Sequence, residues 1–381
     1  MKLPQNVVEL LSTLVRIPSV NPDGIPGVDN PGEQACAEAV GEFLKAAGAT
    51  VEYQPVLPGR PNVIGRFPTD RPGKKRVIFA PHTDTVSVVG MTIDPFSGEV
   101  RDGKVWGRGA CDTKGTMAAM LWALWQMRDR IPHLEYEIWF VGLMGEEAGQ
   151  NGSHAFVEAY CRQAPEEWFA LVGEPTENRI VYTSKGVCWI HPTTRGVAAH
   201  ASTPERGVNA IEKMMAVIDY FRTVLVPRWE SVVDPVLGTT SVNVGAIRGG
   251  VKANIVPDFC TASFDIRMVP ELYRQYGAGF AQAILDELRE KVDPGLEATC
   301  RVSAPMWTDP EHPLIMALKR CGSGLGGAPW YCDGGVFSAA GVPAVAAGPG
   351  SIARAHTQDE HISIDDLEAG VEFYTRFLQQ L

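Results

Sequence analysis

The sequence predicts an α/β fold: a mostly parallel-sheet domain, interrupted by an inserted α+β domain. Three observations carry this expectation. Over residues 1–175, short apolar runs alternate with helix-period segments, the order of a sheet with helices on both faces. After Glu174 the runs alternate apolar with polar residues, as in an antiparallel sheet with one wet face. From about residue 298 a strand–helix–strand texture returns and continues to the end. At 381 residues the chain is long for a single core, which agrees with two domains. The expected boundaries are residues 1–178 and 295–381 for a discontinuous domain and 179–294 for the insert.

The elements follow in order. Val7, Leu10, Leu11, Leu14 and Val15 share one helical face, so the N-terminus reads as an amphipathic helix and not as a signal peptide. Strands are expected at residues 51–53, 63–66, 76–80, 136–143 and 169–172. Met117, Met120, Leu121, Leu124 and Met127 recur at helical spacing within residues 115–130, the pattern of a sheet-covering helix. In the insert, strands are expected at 186–194, 240–247 and 258–267, with helices at 207–224 and 271–291. A short strand at 343–347 and a closing helix at 363–381 complete the chain. There are no repeats and no low-complexity tracts.

Composition narrows the function. Lys and Arg number 34 against 45 Asp and Glu, a net charge of −11 with no basic block. Such a chain repels phosphate backbones and anionic lipid, so nucleic-acid and membrane partners are not expected. No run approaches the ~20 apolar residues that span a bilayer. The eight cysteines are irregularly spaced without a CxxC pair, which reads as reduced thiols in a cytoplasmic protein.

The chemistry-bearing residues cluster at strand ends. Residues 76–80 run into Pro81, His82, Thr83 and Asp84; 136–143 run into Gly145, Glu146 and Glu147; 169–172 run into Gly173, Glu174 and Pro175. Residues 343–347 lead to 348–351 and His356, and a glycine-rich loop at 107–115 carries Asp112. Each motif alone has an ordinary explanation: a surface His–Asp pair, acids at a helix N-terminus, a plain turn. Their shared position is what points to a site, because ligands bind beyond the carboxyl ends of strands in open α/β sheets. Two histidines and three carboxylates without a thiolate suit one or two Zn²⁺ ions.

In this order the motifs resemble those of the metallopeptidase family containing acetylornithine deacetylase, succinyl-diaminopimelate desuccinylase, aminoacylase and glutamate carboxypeptidase. The resemblance runs from Leu14-Val15-Arg16-Ile17-Pro18-Ser19-Val20 to the C-terminal helix. It implies two Zn²⁺ per subunit, with Co²⁺ able to substitute. His82 and Glu174 would hold one ion, Glu147 and His356 the other, and Asp112 would bridge them. Glu146 would be the general base, and Asp84 would fix the His82 tautomer by accepting its other N–H. In the insert, His200 of the segment 196–210 would reach a neighbouring subunit's site to stabilise an oxyanion, which implies a homodimer through that domain. Asn254 and Arg267 would bind a substrate carboxylate, a task suited to the guanidinium fork.

Two departures from the family pattern leave these roles intact: Ala80-Pro81 where glycine usually precedes the first His, and Thr113 where Met is commoner. His133, His154, His191, His312 and His361 match no ligand motif and read as structural or surface residues. Residues 348–360 are most similar to the acetylornithine deacetylase branch, implying a small N-acyl amino acid as substrate and deacetylation as the reaction. A desuccinylase would need another cation, for which Arg108, Lys185, Lys252 and Arg354 are candidates. A carboxypeptidase or dipeptidase would use the same centre with a larger acyl pocket. The rival of another class is a non-catalytic, metal-dependent binding protein on the same fold. Backbone N–H groups of residues 348–351 are a further candidate for gripping a carboxylate.

Overall fold

The computed structural model describes residues 3–23, 32–70, 72–73, 75–322 and 324–381. The remaining positions, including the first two residues of the expected first domain, lie outside the described residues. The chain forms two compact units. The first comprises Met1–Tyr182, Trp307–Gly326 and Cys332–Leu381; the second comprises Thr183–Met306 and Gly327–Tyr331.

A mixed sheet organises the first unit. Its strands lie in the order Thr50–Leu57, Arg60–Arg66, Glu137–Gly142, Arg76–Pro81, Trp168–Gly173, Ala344–Ala346, then Ile180–Ser184 and Leu325–Ala328. Arg76–Pro81 runs parallel to both Glu137–Gly142 and Trp168–Gly173, and Ala344–Ala346 is parallel to the latter. Val77, Ile78, Phe79 and Ala80 are fully buried, which is why this strand reads as a continuous apolar run: a central parallel strand is covered on both faces. The expected covering helix is Lys114–Met127. It is buried on nearly all sides because Ile364–Leu378 packs on it, so its pattern is broader than one amphipathic stripe. Ser363 caps that last helix by accepting the Asp366 N–H at 3.0 Å, and Asp365 and Asp366 meet the positive end of its dipole.

The second unit is a four-stranded antiparallel sheet in the order Ser241–Gly249, Phe259–Met268, Gly186–Arg195, Glu297–Ser303. Cys188, Ile190, Cys260, Ala262, Phe264 and Ile266 form its buried face against helices Ala210–Tyr220 and Phe280–Lys291. Two expectations are revised here. Glu297–Ser303 pairs with Gly186–Arg195, Cys300 opposite Ile190, so the second unit extends past residue 294 to Met306. The helix expected at 271–291 is broken into Pro270–Tyr276 and Phe280–Lys291 at Gly277, whose φ of 57° suits glycine. Among the described residues, no helix is long and apolar enough to cross a membrane.

Candidate metal centre

The carboxyl ends of the parallel strands deliver the chemistry of the first unit. His82 and Asp84 follow Arg76–Pro81, Glu146 and Glu147 follow Glu137–Gly142, and Glu174 follows Trp168–Gly173. Asp112 stands just before the helix Lys114–Met127, and His356 comes from the loop after Ala344–Ala346 with a φ of 60°. These residues gather into two groups able to hold a metal ion: His82, Asp112 and Glu174, and Asp112, Glu147 and His356. Within each group the ligand atoms lie within 4.8 Å of one another. His82 Nε2 is 3.1 Å from Asp112 Oδ1, while His356 Nε2 is 3.2 Å from Asp112 Oδ2 and 3.1 Å from Glu147 Oε1. Asp112 thus turns one oxygen to each imidazole.

The electrostatics show negative charge in excess. Burial, followed by the Asp112 and Glu147 charges, pushes the Glu174 carboxyl well above the usual range. Glu146 moves the same way, through burial and then Glu174, Glu147 and Asp333. Burial also raises Glu147, against its bond to His356. Burial opposes ionisation of Asp112 too, but the bonds from His356 and His82 hold it below the ordinary value. Bonds to Asp112 and then Glu147 raise His356 to about 10, and His82 is raised by Asp112 and Asp84 against its burial. Here protons do what a divalent cation does better, compensating crowded carboxylates. A donor set of imidazoles and carboxylates without thiolate fits such an ion. Cys111 stays out of this set: burial pushes its thiol up, and its Sγ lies 3.4 Å from the Ser351 carbonyl as a donor.

Asp84 does more than orient an imidazole. Its carboxylate accepts the backbone N–H groups of Glu146 and Glu147, each at 3.0 Å, and the Asn21 amide at 2.8 Å. His82 Nδ1 lies 2.9 Å from the Asp84 carbonyl oxygen and 3.4 Å from its Oδ1, so the main chain shares the task of orienting the ring. Glu33, ion-paired with Arg60, accepts the Gly145 N–H at 3.0 Å and steadies the same turn. Sequence reasoning missed Asn21, although it directly follows the Ile17–Val20 motif. It also missed Asp333, a fully buried carboxyl that burial pushes up to about 7 and that accepts the Ser153 hydroxyl at 2.5 Å. Nothing in the local sequence marks Asp333, which reads as the start of a glycine turn.

The remaining candidates lie elsewhere. His200 and Asn254 are exposed in the second unit, with His200 Nδ1 2.7 Å from the Ser202 hydroxyl. The Arg267 fork is occupied by Asp265 at 2.7 and 2.9 Å, and its guanidinium sits 5.6 Å from the Tyr331 ring. Arg108 is not available to a substrate: it is buried and bonded to Glu360 at 2.5 Å. Lys185 donates to the Thr239 carbonyl, whereas Lys252 and Arg354 are exposed. The N–H of Gly348 is taken by the Thr176 hydroxyl at 3.1 Å, so that group is not free to grip an anion. His133 pairs with Asp70, His191 with Ser263, His312 caps a helix, and His361 lies against Trp106.

Residues 78–380 match the family model described as peptidase family M20/M25/M40. The fold is shared with several solved structures. One is an M20 family metallo-carboxypeptidase, Sso-CP2, from Sulfolobus solfataricus, at 17% identity and TM-score 0.77, covering 99% of each chain. Aminopeptidase PepT from Bacillus cereus gives 21% identity and TM-score 0.74, covering 98% of this chain and 97% of that one. The YXEP protein of Bacillus subtilis, described as a dinuclear metal binding peptidase, gives 14% and 0.66, covering 98% and 96%.

Proposed function

The chain belongs to peptidase family M20/M25/M40, hydrolases of peptide or amide bonds, and on that premise we propose a two-zinc amidohydrolase that cleaves the N-acyl amide of a small N-acyl amino acid. The observation that carries this reading is the Glu146 carboxyl, buried beside ligand-type Glu147 but belonging to neither metal-binding group. His82, Asp112 and Glu174 would hold one ion, and Asp112, Glu147 and His356 the other. Zn²⁺ suits these donors, and Co²⁺ can substitute. Bound ions supply Lewis acidity to the scissile carbonyl and lower the pKa of a water. Glu146 would accept a proton from the attacking water and return it to the leaving nitrogen. Burial raises its carboxyl above the usual range, and Asp84 fixes its position by accepting the Glu146 N–H.

In the second unit, exposed His200 and Asn254 and the half-buried Arg267 are assigned to the oxyanion and the substrate carboxylate, within a homodimer. The eight free cysteines support a cytoplasmic location. For the substrate, residues 348–360 favour an N-acetyl-ornithine-type deacetylase. The occupation of Arg108 by Glu360 removes one cation that a desuccinylase would want. A dipeptidase or carboxypeptidase is the second reading, in line with solved neighbours such as human carnosine dipeptidase 1 and Sso-CP2.

The test is amine release by zinc-loaded protein from N-acetyl-ornithine, other N-acetyl amino acids, N-succinyl-diaminopimelate and a few dipeptides, each beside a Glu146→Ala control. Glu146-dependent turnover of an N-acetyl amino acid supports the deacetylase. Turnover of dipeptides alone moves the assignment to the second reading, and two bound ions with no turnover of any member favour a binding protein.

A further inference from the structure

A buried carboxylate on the Asp112 side mirrors Asp84. Glu360 is fully buried, and its Oε1 accepts the backbone N–H groups of Cys111 at 2.9 Å and Asp112 at 3.0 Å. Its Oε2 accepts Arg108 Nη1 at 2.5 Å, and Arg108 is itself buried, with Nε donating to the Ser87 carbonyl at 3.1 Å. The Glu360 carbonyl accepts the Gly107 N–H at 3.0 Å. Asp84 likewise gathers two successive N–H groups, those of Glu146 and Glu147. The Asp112 turn and the Glu146–Glu147 turn are therefore each held by a buried carboxylate.

Glu360 stands on the same C-terminal segment as His356, while Asp112 is 248 residues away in sequence. One side chain thus joins the two segments that supply the shared carboxylate and the exposed imidazole. A buried ion pair is a weak source of net stability, since apolar replacements are often as stable. Holding ligand-bearing backbone is a task that an apolar pair cannot perform. Groups behind metal ligands typically change metal affinity or activity by about 10–100-fold when removed.

We propose that Glu360, with Arg108 as its counter-charge, is a positioning residue of the metal centre that sets the affinity of the ion held by Asp112, Glu147 and His356. The proposal rests on the two-ion reading above. Its test is the affinity of each Zn²⁺ ion in wild type, Glu360→Gln and Arg108→Lys, measured by competition with a chelating dye. Thermal midpoints and the visible spectrum of the Co²⁺ forms are recorded in parallel.

The expected result is a weakening of roughly 10–100-fold in Glu360→Gln for the ion that also uses His356, with a smaller effect on the other ion, which shares Asp112. Turnover falls with occupancy, KM stays constant, and excess Zn²⁺ restores kcat. A lower midpoint with both affinities unchanged makes the pair merely structural and overturns the proposal, as does an equal fall in both affinities. Should Glu360→Gln fail to fold, Glu360→Asp, which keeps the charge but shortens the reach to the Cys111 and Asp112 N–H groups, is read by the same two criteria, whereas Arg108→Lys, which keeps those bonds, should leave both affinities near wild type. A wild type binding fewer than two ions overturns the two-ion reading together with this inference; two ions in wild type and no change in a folded Glu360 variant overturns the inference alone.

Discussion

The two metal-binding groups share Asp112 but are built differently. In one, His82 and Glu174 continue directly from parallel strands, with 2% and 5% of their surface exposed. In the other, Glu147 sits on a turn and His356 on a loop in the left-handed region, its side chain 52% exposed. Groups fixed to the ends of central strands inherit the rigidity of the sheet. Groups on loops are held only by what their turns are bonded to. The contrast places a closed, preorganised half beside an open one, the arrangement a catalytic centre needs if substrate is to reach it.

The largest expected effect separates Glu146 from both halves. Glu146→Ala is expected to lower kcat by about 10²–10⁴-fold while both ions remain bound, as read by amine release and metal content. A loss of one ion instead would make Glu146 a ligand and break the division between the groups.

A smaller difference compares the two imidazoles in the metal-free protein. Removing His82 leaves Asp112 and Glu174 buried without that partner. His82→Ala is therefore expected to lose about 3–5 kcal/mol in denaturant unfolding, the usual result of breaking a buried pair. His356→Ala should lose clearly less, because its half-exposed ring is screened by solvent. Equal losses would erase the contrast between closed and open halves.

The pH dependence sharpens the same comparison. In the metal-free protein His356 is raised from 6.5 to about 10 by its bonds to Asp112 and Glu147. Its stabilising contribution is thus complete below about pH 6.5 and fades as pH rises through about 10. The Tm gap between wild type and His356→Ala should narrow over that window; a constant gap would show that the ring contributes no proton-linked stability. On the buried side, Asp333 is raised from 3.8 to about 7, so between those values the folded chain binds more protons than the unfolded one. Stability then falls as pH rises through that window, and Asp333→Asn should flatten the decline in a urea series.

The legible parts of this molecule were those written in local pattern. The apolar run before His82 and those before Glu146 and Glu174 showed where strands end, and strand ends are where an α/β sheet places its ligands. What stayed hidden depended on partners distant in sequence. Ala298, Cys300 and Val302 alternate with polar residues as in any half-exposed strand, and only pairing with Gly186–Arg195 assigns this segment to the second unit. The double grip of Asp84 on the Glu146 and Glu147 N–H groups spans 62 and 63 residues, and no spacing rule reports it. Arg108 looked like a free cation because its partner Glu360 lies 252 residues on. Asp333 gave no signal, since its chemistry comes from burial alone.

The most direct test of a two-ion hydrolase is a titration of metal-free protein with Zn²⁺, following bound metal and amide hydrolysis together. Binding is expected to break at one and at two ions per chain, with turnover of an N-acyl amino acid or dipeptide appearing as the centre fills and absent in Glu146→Ala. Full turnover before any ion binds, or hydrolysis indifferent to Glu146, would contradict the account.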